Sequence, residues 1–268
     1  MSRRKPLRSR RLARKERRKK FRNIFLFSLL GIGIVSWTVY GFSRPNFRIA
    51  RIEVAGFNRV NDALIRNAVK QALAGSYLGF IPKSHALLYP QSELRATLLR
   101  DFPIFASVSL SLRNLSTLRV SVREREAEAL WCTAGKECFL LDSAGVAFAP
   151  AGESAGKMYY RFDGKGGAPD LGKHVIEAGR LGALLRFLKK LEHEGLAARV
   201  VSLKEQDEFE VLLQSGTRLL LRGENYDSTL ITLQTLLEQD GLFSRKDGAL
   251  GAAYIDLRYG NKIYFKPK

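Results

Sequence analysis

A mostly apolar run of 19 residues near the amino terminus constrains this chain more than any other feature. The run extends from Ile24 to Phe42 and reads IFLFSLLGIGIVSWTVYGF, and no charged side chain lies between Arg22 and Arg44. At a rise of about 1.5 Å per residue, a helix of this length matches the bilayer hydrocarbon core of about 30 Å. We therefore predict a transmembrane helix over residues 23–43.

Two other interpretations of this run are less favourable. A soluble helix that is apolar on every face needs a large domain around it, and no such domain precedes the run. A cleaved signal peptide has an apolar stretch of roughly 7 to 15 residues and a small-residue cleavage site. The run is longer, and no Ala-x-Ala sequence follows it. An uncleaved, single-pass anchor is the prediction.

The first 22 residues hold most of the excess positive charge. They contain 13 Lys or Arg and a single acidic residue, Glu16, which gives +12 of the total formal charge of +19. A polybasic block beside a span stays in the cytoplasm and is attracted to anionic headgroups. We predict a cytoplasmic basic tail at residues 1–22, in contact with anionic lipid. Nucleic-acid binding is disfavoured because Phe21 is the tail's only aromatic residue.

The segment after the anchor shows the periodicities of a small α+β domain. Alternating and helical patterns succeed one another in the order strand, helix, helix, strand, strand, which predicts helices on one face of a sheet. This predicted domain comprises residues 45–124. Its predicted elements are a strand at residues 50–54, a helix from Asn61 or Asp62 to Gly75, a helix ended by Pro103, and strands at residues 108–112 and 118–122.

The remaining residues, 125–268, predict a β-rich domain with flanking helices. Leucines at helical spacing mark two helix faces, one within residues 181–191 and one within residues 230–237. Alternating segments mark strands at residues 199–203, 209–213 and 218–222. The predicted fold class is thus α+β throughout the part beyond the anchor.

Cys132 and Cys138 are the only cysteines, and they bracket a predicted turn at Gly135. Outside the membrane, where thiols are readily oxidised, they can form a disulfide. The alternative is a pair of semi-buried thiols in facing strands, and the sequence leaves both possibilities open.

No residue pattern predicts catalysis, a cofactor or a metal. His85, His174 and His193 are scattered, without other ligands at metal-site spacing. No Gly-x-Ser-x-Gly sequence exists, and the adjacent Asp207 and Glu208 are explained by solvation at a strand boundary. We therefore expect a non-enzymatic protein without cofactors.

Several motifs, taken in order, resemble one known family. The predicted strand and helix order of residues 45–124 is similar to that of a POTRA domain, a polypeptide-docking module. Directly after a single anchor, the segments below resemble the extracytoplasmic part of FtsQ/DivIB bacterial cell-division proteins. The segments are residues 47–56 (FRIARIEVAG), 122–125 (VRER) with 129–131 (ALW), 139–148 (FLLDSAGVAF) and 254–265 (YIDLRYGNKIYF). One departure is Glu126, where the family commonly has proline.

The resemblance implies a role at the division septum. Family members join two small single-pass proteins of the FtsB (DivIC) and FtsL type in the divisome, and help control septal peptidoglycan synthesis. It also implies location in the cytoplasmic (inner) membrane, with the carboxyl-terminal domains outside. Tyr259 matches the family's functional tyrosine.

A docking mechanism can be stated from the last residues. Lys262 to Phe265 follows every other predicted sheet element, so we expect an edge strand, to which a partner strand can be added by β-augmentation. Tyr264 and Phe265 would be aromatic anchors, although Ile263 and Phe265 can also face the core while Lys262, Lys266 and Pro267 blunt the edge. The residues predicted to bind a partner are Tyr259, Asn261, Lys262, Ile263, Tyr264 and Phe265.

Two alternatives from other classes are kept. A membrane-tethered cell-wall enzyme would have a carboxylate pair in an acidic cleft. A POTRA-containing secretion or assembly component would have repeated POTRA units or a β-barrel downstream, and no such pattern follows Phe148.

Overall fold

The computed structural model describes most of the chain beyond the first residues. The described residues are 10–42, 47–77, 79, 81–134, 137–164, 166–204, 207–223, 226–238, 250–259 and 262–268. The chain divides into two compact units. The first unit comprises Met1–Thr97 and Ser109–Ser121, and the second comprises Leu98–Val108 and Val122–Lys268.

The first element is a long helix, α1 (Arg10–Phe42). It contains the predicted span up to Phe42, whereas residue 43 and residues 1–9 of the predicted tail lie outside the described residues. Within the ranges given above, no helix is both long enough and apolar enough to cross a membrane. The predicted transmembrane helix is therefore not confirmed.

The rest of the first unit has the predicted order, with one addition. A two-stranded hairpin, β2–β3, lies between the helices, and the three-stranded sheet has the order β1-β5-β4, with β1 parallel to β5. The elements are β1 (Arg51–Ala55), α2 (Asp62–Ala72), β2 (Ser76–Tyr77), β3 (Ile81–Pro82), α3 (Gln91–Asp101), β4 (Phe105–Asn114) and β5 (Thr117–Glu124). The carboxyl-terminal ends of α3 and β5 and the amino-terminal end of β4 belong to the second unit.

Local sequence explains why α2 begins where it does. The side chain of Asn61 accepts a hydrogen bond from the backbone N–H of Ala63 at 2.8 Å, which satisfies one of the free donors at the helix start. Ile65 and Val69, one turn apart, are buried. The helix predicted from Asn61 or Asp62 is therefore confirmed, although it ends at Ala72, before Gly75.

The second unit is built on one nine-stranded mixed sheet. Its strand order is β14-β13-β12-β11-β10-β9-β6-β7-β8. Strand β9 pairs in parallel with both β6 and β10, and β12 pairs in parallel with β13. These pairings join segments that are distant in sequence. The strands are β6 (Ala129–Cys132), β7 (Cys138–Leu141), β8 (Ala147–Pro150), β9 (Tyr160–Asp163), β10 (Ala198–Leu203), β11 (Glu208–Leu213), β12 (Arg218–Arg222), β13 (Ala252–Tyr259) and β14 (Lys262–Pro267).

Two helices, α4 (Ala178–His193) and α5 (Tyr226–Glu238), supply the apolar side chains that complete the core. Leu181, Leu184 and Leu188 of α4 are fully buried in one cluster with side chains from the strands. A 3-10 helix at Glu153–Lys157 also belongs to this unit. The mixed α+β class is confirmed, as are the helices and strands predicted within residues 181–237.

Candidate protein-docking edge

The last strand, β14, forms one edge of the nine-stranded sheet. In the described part of the chain it pairs with β13 alone, in antiparallel register. Since a strand with a single neighbour presents one row of backbone groups away from the sheet, β14 has the geometry needed to accept another strand. The predicted edge position of Lys262–Phe265 thus agrees with the sheet order.

A bulge in β13 determines which side chains share a face at this edge. Asp256 lies opposite Tyr264, but Tyr259 lies opposite Lys262, so β13 has one extra residue between these pairs. Directly opposed residues point to the same face, and so do residues two apart in one strand. Tyr259 therefore lies on the same face as Tyr264 and Asp256.

Two exposed tyrosines meet on that face. The rings of Tyr259 and Tyr264 are 5.6 Å apart between centroids, at an interplanar angle of 85°. This edge-to-face geometry is a favoured arrangement for aromatic pairs. Each side chain is 52% exposed. The pair forms an amphipathic patch beside the outer edge, of the kind that contributes strongly to protein interfaces.

Arg258 links this patch to the interior of the sheet. Its guanidinium donates to Asp256 (Nη2 to Oδ2, 2.6 Å; Nε to Oδ1, 2.9 Å) and to Glu208 (Nη1 to Oε2, 2.8 Å). The guanidinium carbon also lies 5.5 Å from the centroid of the Tyr259 ring. Hydrogen bonding by Arg258 holds the pKa of Asp256 below its usual value, and the two carboxylates raise the pKa of Arg258.

The predicted docking residues divide into two groups. Ile263 and Phe265 are partly buried and pack against the core, whereas Lys262 and Tyr264 are exposed. Phe265 is therefore a core-packing residue in this structure as well as a predicted anchor. Asn261 lies outside the described residues.

The sequence analysis did not predict that Glu208 pairs with Arg258. It assigned Asp207 and Glu208 to surface solvation, but the Glu208 side chain is only 25% exposed and bonds Arg258 from β11. The pair is 50 residues apart in sequence. The parallel pairing of β12 and β13 brings them together, and no local pattern encodes that pairing.

The opposite edge of the sheet, at β8, is covered at its start by another segment of the chain. The backbone N–H of Gly172 donates to the carbonyl of Ala147 in β8 at 2.7 Å, and the N–H of Ala147 donates to Lys173 at 3.2 Å. Val146 and His174 form a further antiparallel bridge. The two edges of this sheet thus differ in their capacity to accept a partner strand.

The structure joins Cys132 and Cys138 by a disulfide. The two residues lie opposite each other at the ends of β6 and β7. Cys132 is fully buried. The predicted turn residue Gly135 lies outside the described residues.

The three histidines have different local surroundings. His85 is buried and stacks on Phe47, with ring centroids 6.0 Å apart, and burial lowers its pKa. The Nδ1 atom of His174 is 2.9 Å from the carbonyl of Ala144, and His193 is the last residue of α4. Among the residues that the structure describes, no group of three or more His, Cys, Asp or Glu side chains is arranged to hold a metal ion.

The sheet and helices of the second unit correspond to a known family. The model of the "Cell division protein FtsQ/DivIB, C-terminal" family matches residues 129–258. Residues 129–258 are therefore a carboxyl-terminal domain of the FtsQ/DivIB family. FtsQ/DivIB proteins are non-enzymatic, membrane-anchored proteins with a role in cell division. None of the curated proteins matches the chain.

The FtsQ/DivIB match covers the framework of the candidate edge but not its exposed surface. It includes β6 through Arg258 of β13, and with them the Asp256, Arg258 and Glu208 cluster. It stops one residue before Tyr259. The predicted partner-binding residues therefore remain a prediction.

Proposed function

We propose that this chain is a non-enzymatic divisome scaffold that docks a small single-pass division protein, of the FtsB/DivIC or FtsL type, on the β14 edge. Docking would occur outside the cytoplasmic membrane, at the division septum, and would help control septal peptidoglycan synthesis. Family membership supports the division role. The observation that carries the docking proposal is the contrast between the two sheet edges, since the start of β8 is hydrogen-bonded to residues 172–173 and β14 is not covered by any described residue.

In this mechanism the partner adds an antiparallel or parallel strand to β14. Backbone hydrogen bonds give affinity, and side chains at alternate positions give specificity. Tyr259 and Tyr264 lie beside the edge with half of their surface available, so a partner can bury them. Lys262 and Lys266 discourage nonspecific pairing between copies, because like charges repel at a shared edge.

We further propose that residues 45–124 are a POTRA domain and that the segment from Phe47 to Val54, which includes most of β1, is a second, weaker docking edge. The strand, helix, helix, strand, strand order and the edge position of β1 support this assignment. Part of this edge is already covered, because the N–H of Ile49 donates to Ser84 and the N–H of Ala86 donates to Phe47, each at 2.8 Å. Fewer positions are thus open here than on β14.

We also propose that the chain is held in the membrane by residues 23–43, with the basic residues 1–22 in the cytoplasm near anionic lipid. Large apolar side chains on several sides of α1 are exposed, and exposure of this extent is unfavourable in water. They include Phe21, Ile24, Phe25, Phe27, Leu30, Ile32 and Trp37. Carbonate extraction of native membranes tests the anchor, since a peripheral protein is released and an integral one is retained.

Hydrogen exchange tests the docking proposal directly. The full-length protein in detergent micelles is mixed with the soluble extracytoplasmic segment of the FtsB-type protein from the same organism. We expect slower exchange of backbone amides in β14 on binding, and no change in β8, which is the matched control edge. Binding without protection of β14 would contradict β-augmentation at this strand.

Substitution provides an independent measure. Tyr259→Ala and Tyr264→Ala should each weaken binding by at least tenfold, because truncated aromatic anchors typically lose about 2 kcal/mol or more. Tyr77→Ala, in β2 of the first unit, is the control. A variant that ends at Arg258 should not bind, and it is informative only if circular dichroism shows that it is folded, since Ile263 and Phe265 pack on the core.

A further inference from the structure

We infer that Glu208 is a positioning residue for the docking edge: through Arg258 it holds the Tyr259 ring in the orientation that a partner meets. This inference rests on the proposed docking function, and it deepens that function by naming residues that act without touching the partner. The underlying observation is a chain of contacts that crosses three strands, from Glu208 in β11 to Arg258 and Tyr259 in β13.

The strand register explains how a side chain on β11 reaches β13. Glu208 lies opposite Arg222 of β12, and β12 runs parallel to β13 with Leu220 beside Asp256. Glu208, Arg222 and Arg258 therefore lie in one row across the sheet. The long side chain of Arg258 spans the intervening strand, and its Nη1 atom is 2.8 Å from Glu208 Oε2.

The guanidinium is restrained on two sides. Asp256 accepts a bidentate pair of hydrogen bonds, from Nε at 2.9 Å and from Nη2 at 2.6 Å, and Glu208 accepts a hydrogen bond from the remaining Nη1. A planar guanidinium group that donates hydrogen bonds from all three nitrogens has little rotational freedom. Its orientation relative to the neighbouring ring is consequently determined by the carboxylates.

Tyr259 benefits from that restraint because its own surroundings are sparse. The ring is half exposed and contacts Arg258 on one side and the edge-to-face ring of Tyr264 on the other. The bulge between Asp256 and Tyr259 interrupts the regular ladder just before this residue, which then pairs with Lys262. An ordered ring loses less conformational entropy when a partner binds, so affinity is higher.

The same contacts argue against a direct role of Arg258 as a receptor for a partner's carboxylate. Two carboxylates of the chain already neutralise and occupy the guanidinium. If Arg258 nevertheless served mainly to bind an acidic partner residue, release from Glu208 would leave binding equal or stronger. Under the positioning role, release from Glu208 weakens partner binding. Whether binding weakens or strengthens therefore distinguishes the positioning role from the receptor role.

Glu208→Gln is the decisive variant, and Glu210→Gln is its matched control. Both residues lie on β11, two positions apart and on one face, with side chains 25% and 20% exposed. Glu210 pairs with Lys204 and Arg218 instead of Arg258. The amide keeps the shape of each side chain and removes its charge. Both variants of the full-length chain are studied in detergent micelles.

The first measurement is the NMR signal of the Tyr259 ring in protein labelled with ¹³C-tyrosine, assigned with Tyr259→Phe. The signal of Tyr259 carries a ring-current shift from Tyr264 and reports the orientation of the ring. We expect Glu208→Gln to move or broaden this signal and Glu210→Gln to leave it in place. An unchanged signal in Glu208→Gln would overturn the inference, whether or not the protein binds a partner.

The second measurement is calorimetric titration with the soluble segment of the FtsB-type protein. We expect Glu208→Gln to weaken binding roughly three- to tenfold, less than loss of a whole charged hydrogen bond in a buried site, and Glu210→Gln to bind as the wild type does. Equal or tighter binding by Glu208→Gln overturns the inference. If the wild type itself does not bind, the docking proposal fails, and the NMR measurement still decides whether Glu208 orders Tyr259.

A second pair of variants tests the same inference even if Glu208→Gln does not fold. Arg258→Lys keeps the positive charge but lacks the planar fork, and it should reproduce both effects. Arg222→Lys is its control, because Arg222 is 50% exposed and its Nε lies 4.0 Å from Glu208. If Arg258→Lys retains the wild-type ring signal and affinity, the guanidinium does not position Tyr259.

Discussion

Arg125 and Asp142 form an ion pair that joins the entry to β6 with the turn before β8. The two side chains are only 15% and 9% exposed. Arg125 also donates through Nε to the carbonyl of Pro103 at 3.0 Å. Asp142 accepts from the backbone N–H groups of Ala144 and Val146 through Oδ1, which stabilises the turn. One carboxylate thus organises both the turn and the segment that leads into the sheet.

The first prediction concerns this pair. Asp142→Asn keeps the oxygen that accepts the turn hydrogen bonds but leaves the Arg125 charge largely buried without its partner. We expect a loss of about 3 kcal/mol in the free energy of unfolding. Denaturant unfolding followed by Trp131 fluorescence measures it. The control is Asp170→Asn, whose pair with Lys173 is exposed and should contribute much less to stability. Equal effects would mean that burial of the Arg125 pair does not matter.

The second prediction concerns Gly145 in the same turn. Its φ is +76°, and a Cβ built there would lie 2.1 Å from the carbonyl oxygen of Ile176. Gly145→Ala should therefore lower the free energy of unfolding by roughly 2 kcal/mol or more. Gly152→Ala is the control, since φ is −71° there and the Cβ would meet nothing within 4 Å. Thermal melts of both variants decide it, and similar melting temperatures would contradict the strained turn.

The third prediction concerns the disulfide. Closing so short a loop restricts the unfolded chain, and the entropy model gives about 2 kcal/mol of stabilisation. We expect the Cys132→Ser, Cys138→Ser double variant to lose that amount relative to the oxidised wild type. Thiol titration of unreduced, denatured protein should find no reactive thiol. Two reactive thiols per chain would show that the bond is absent from the protein in solution.

The fourth prediction is a pH dependence at the acid end. The Arg258 hydrogen bonds lower the pKa of Asp256 below its unfolded value of 3.8. A lowered pKa contributes stability that is complete above the unfolded value and is lost as the pH falls through the folded value. Asp256→Asn should thus be less stable than the wild type at neutral pH, and the difference should shrink below about pH 4. A difference that is constant with pH would contradict this linkage.

The fifth prediction concerns the alkaline end. Burial, together with the 2.5 Å hydrogen bond from the Tyr160 hydroxyl to Glu192, raises the pKa of Tyr160 from 10.0 to about 12. A raised pKa contributes stability that is complete below pH 10 and is lost as the pH rises towards 12. Unfolding experiments should show a steeper decline in this range for the wild type than for Tyr160→Phe. Parallel curves would place the titration elsewhere.

Helices and strands whose apolar residues recur at a regular spacing could be predicted well from the sequence. The α4 leucines at positions 181, 184 and 188 are all buried, because helical spacing directs them to one side. The β2–β3 hairpin was missed because its strands, Ser76–Tyr77 and Ile81–Pro82, are too short to show alternation. The continuous nine-stranded sheet was missed for another reason. Its parallel pairings join segments whose proximity depends on the whole domain.

The amino-acid sequence alone determined the family resemblance, the α+β class and the terminal position of an aromatic strand, since each follows from residues that are close together in the chain. Only the tertiary structure decided which face Tyr259 occupies. Strict alternation would separate it from Asp256, three positions earlier, but the bulge returns it to the same face. The structure also decided that Glu208 meets Arg258. Both outcomes depend on how strands compete for hydrogen-bond partners across a sheet, and such competition is settled by the folded chain as a whole.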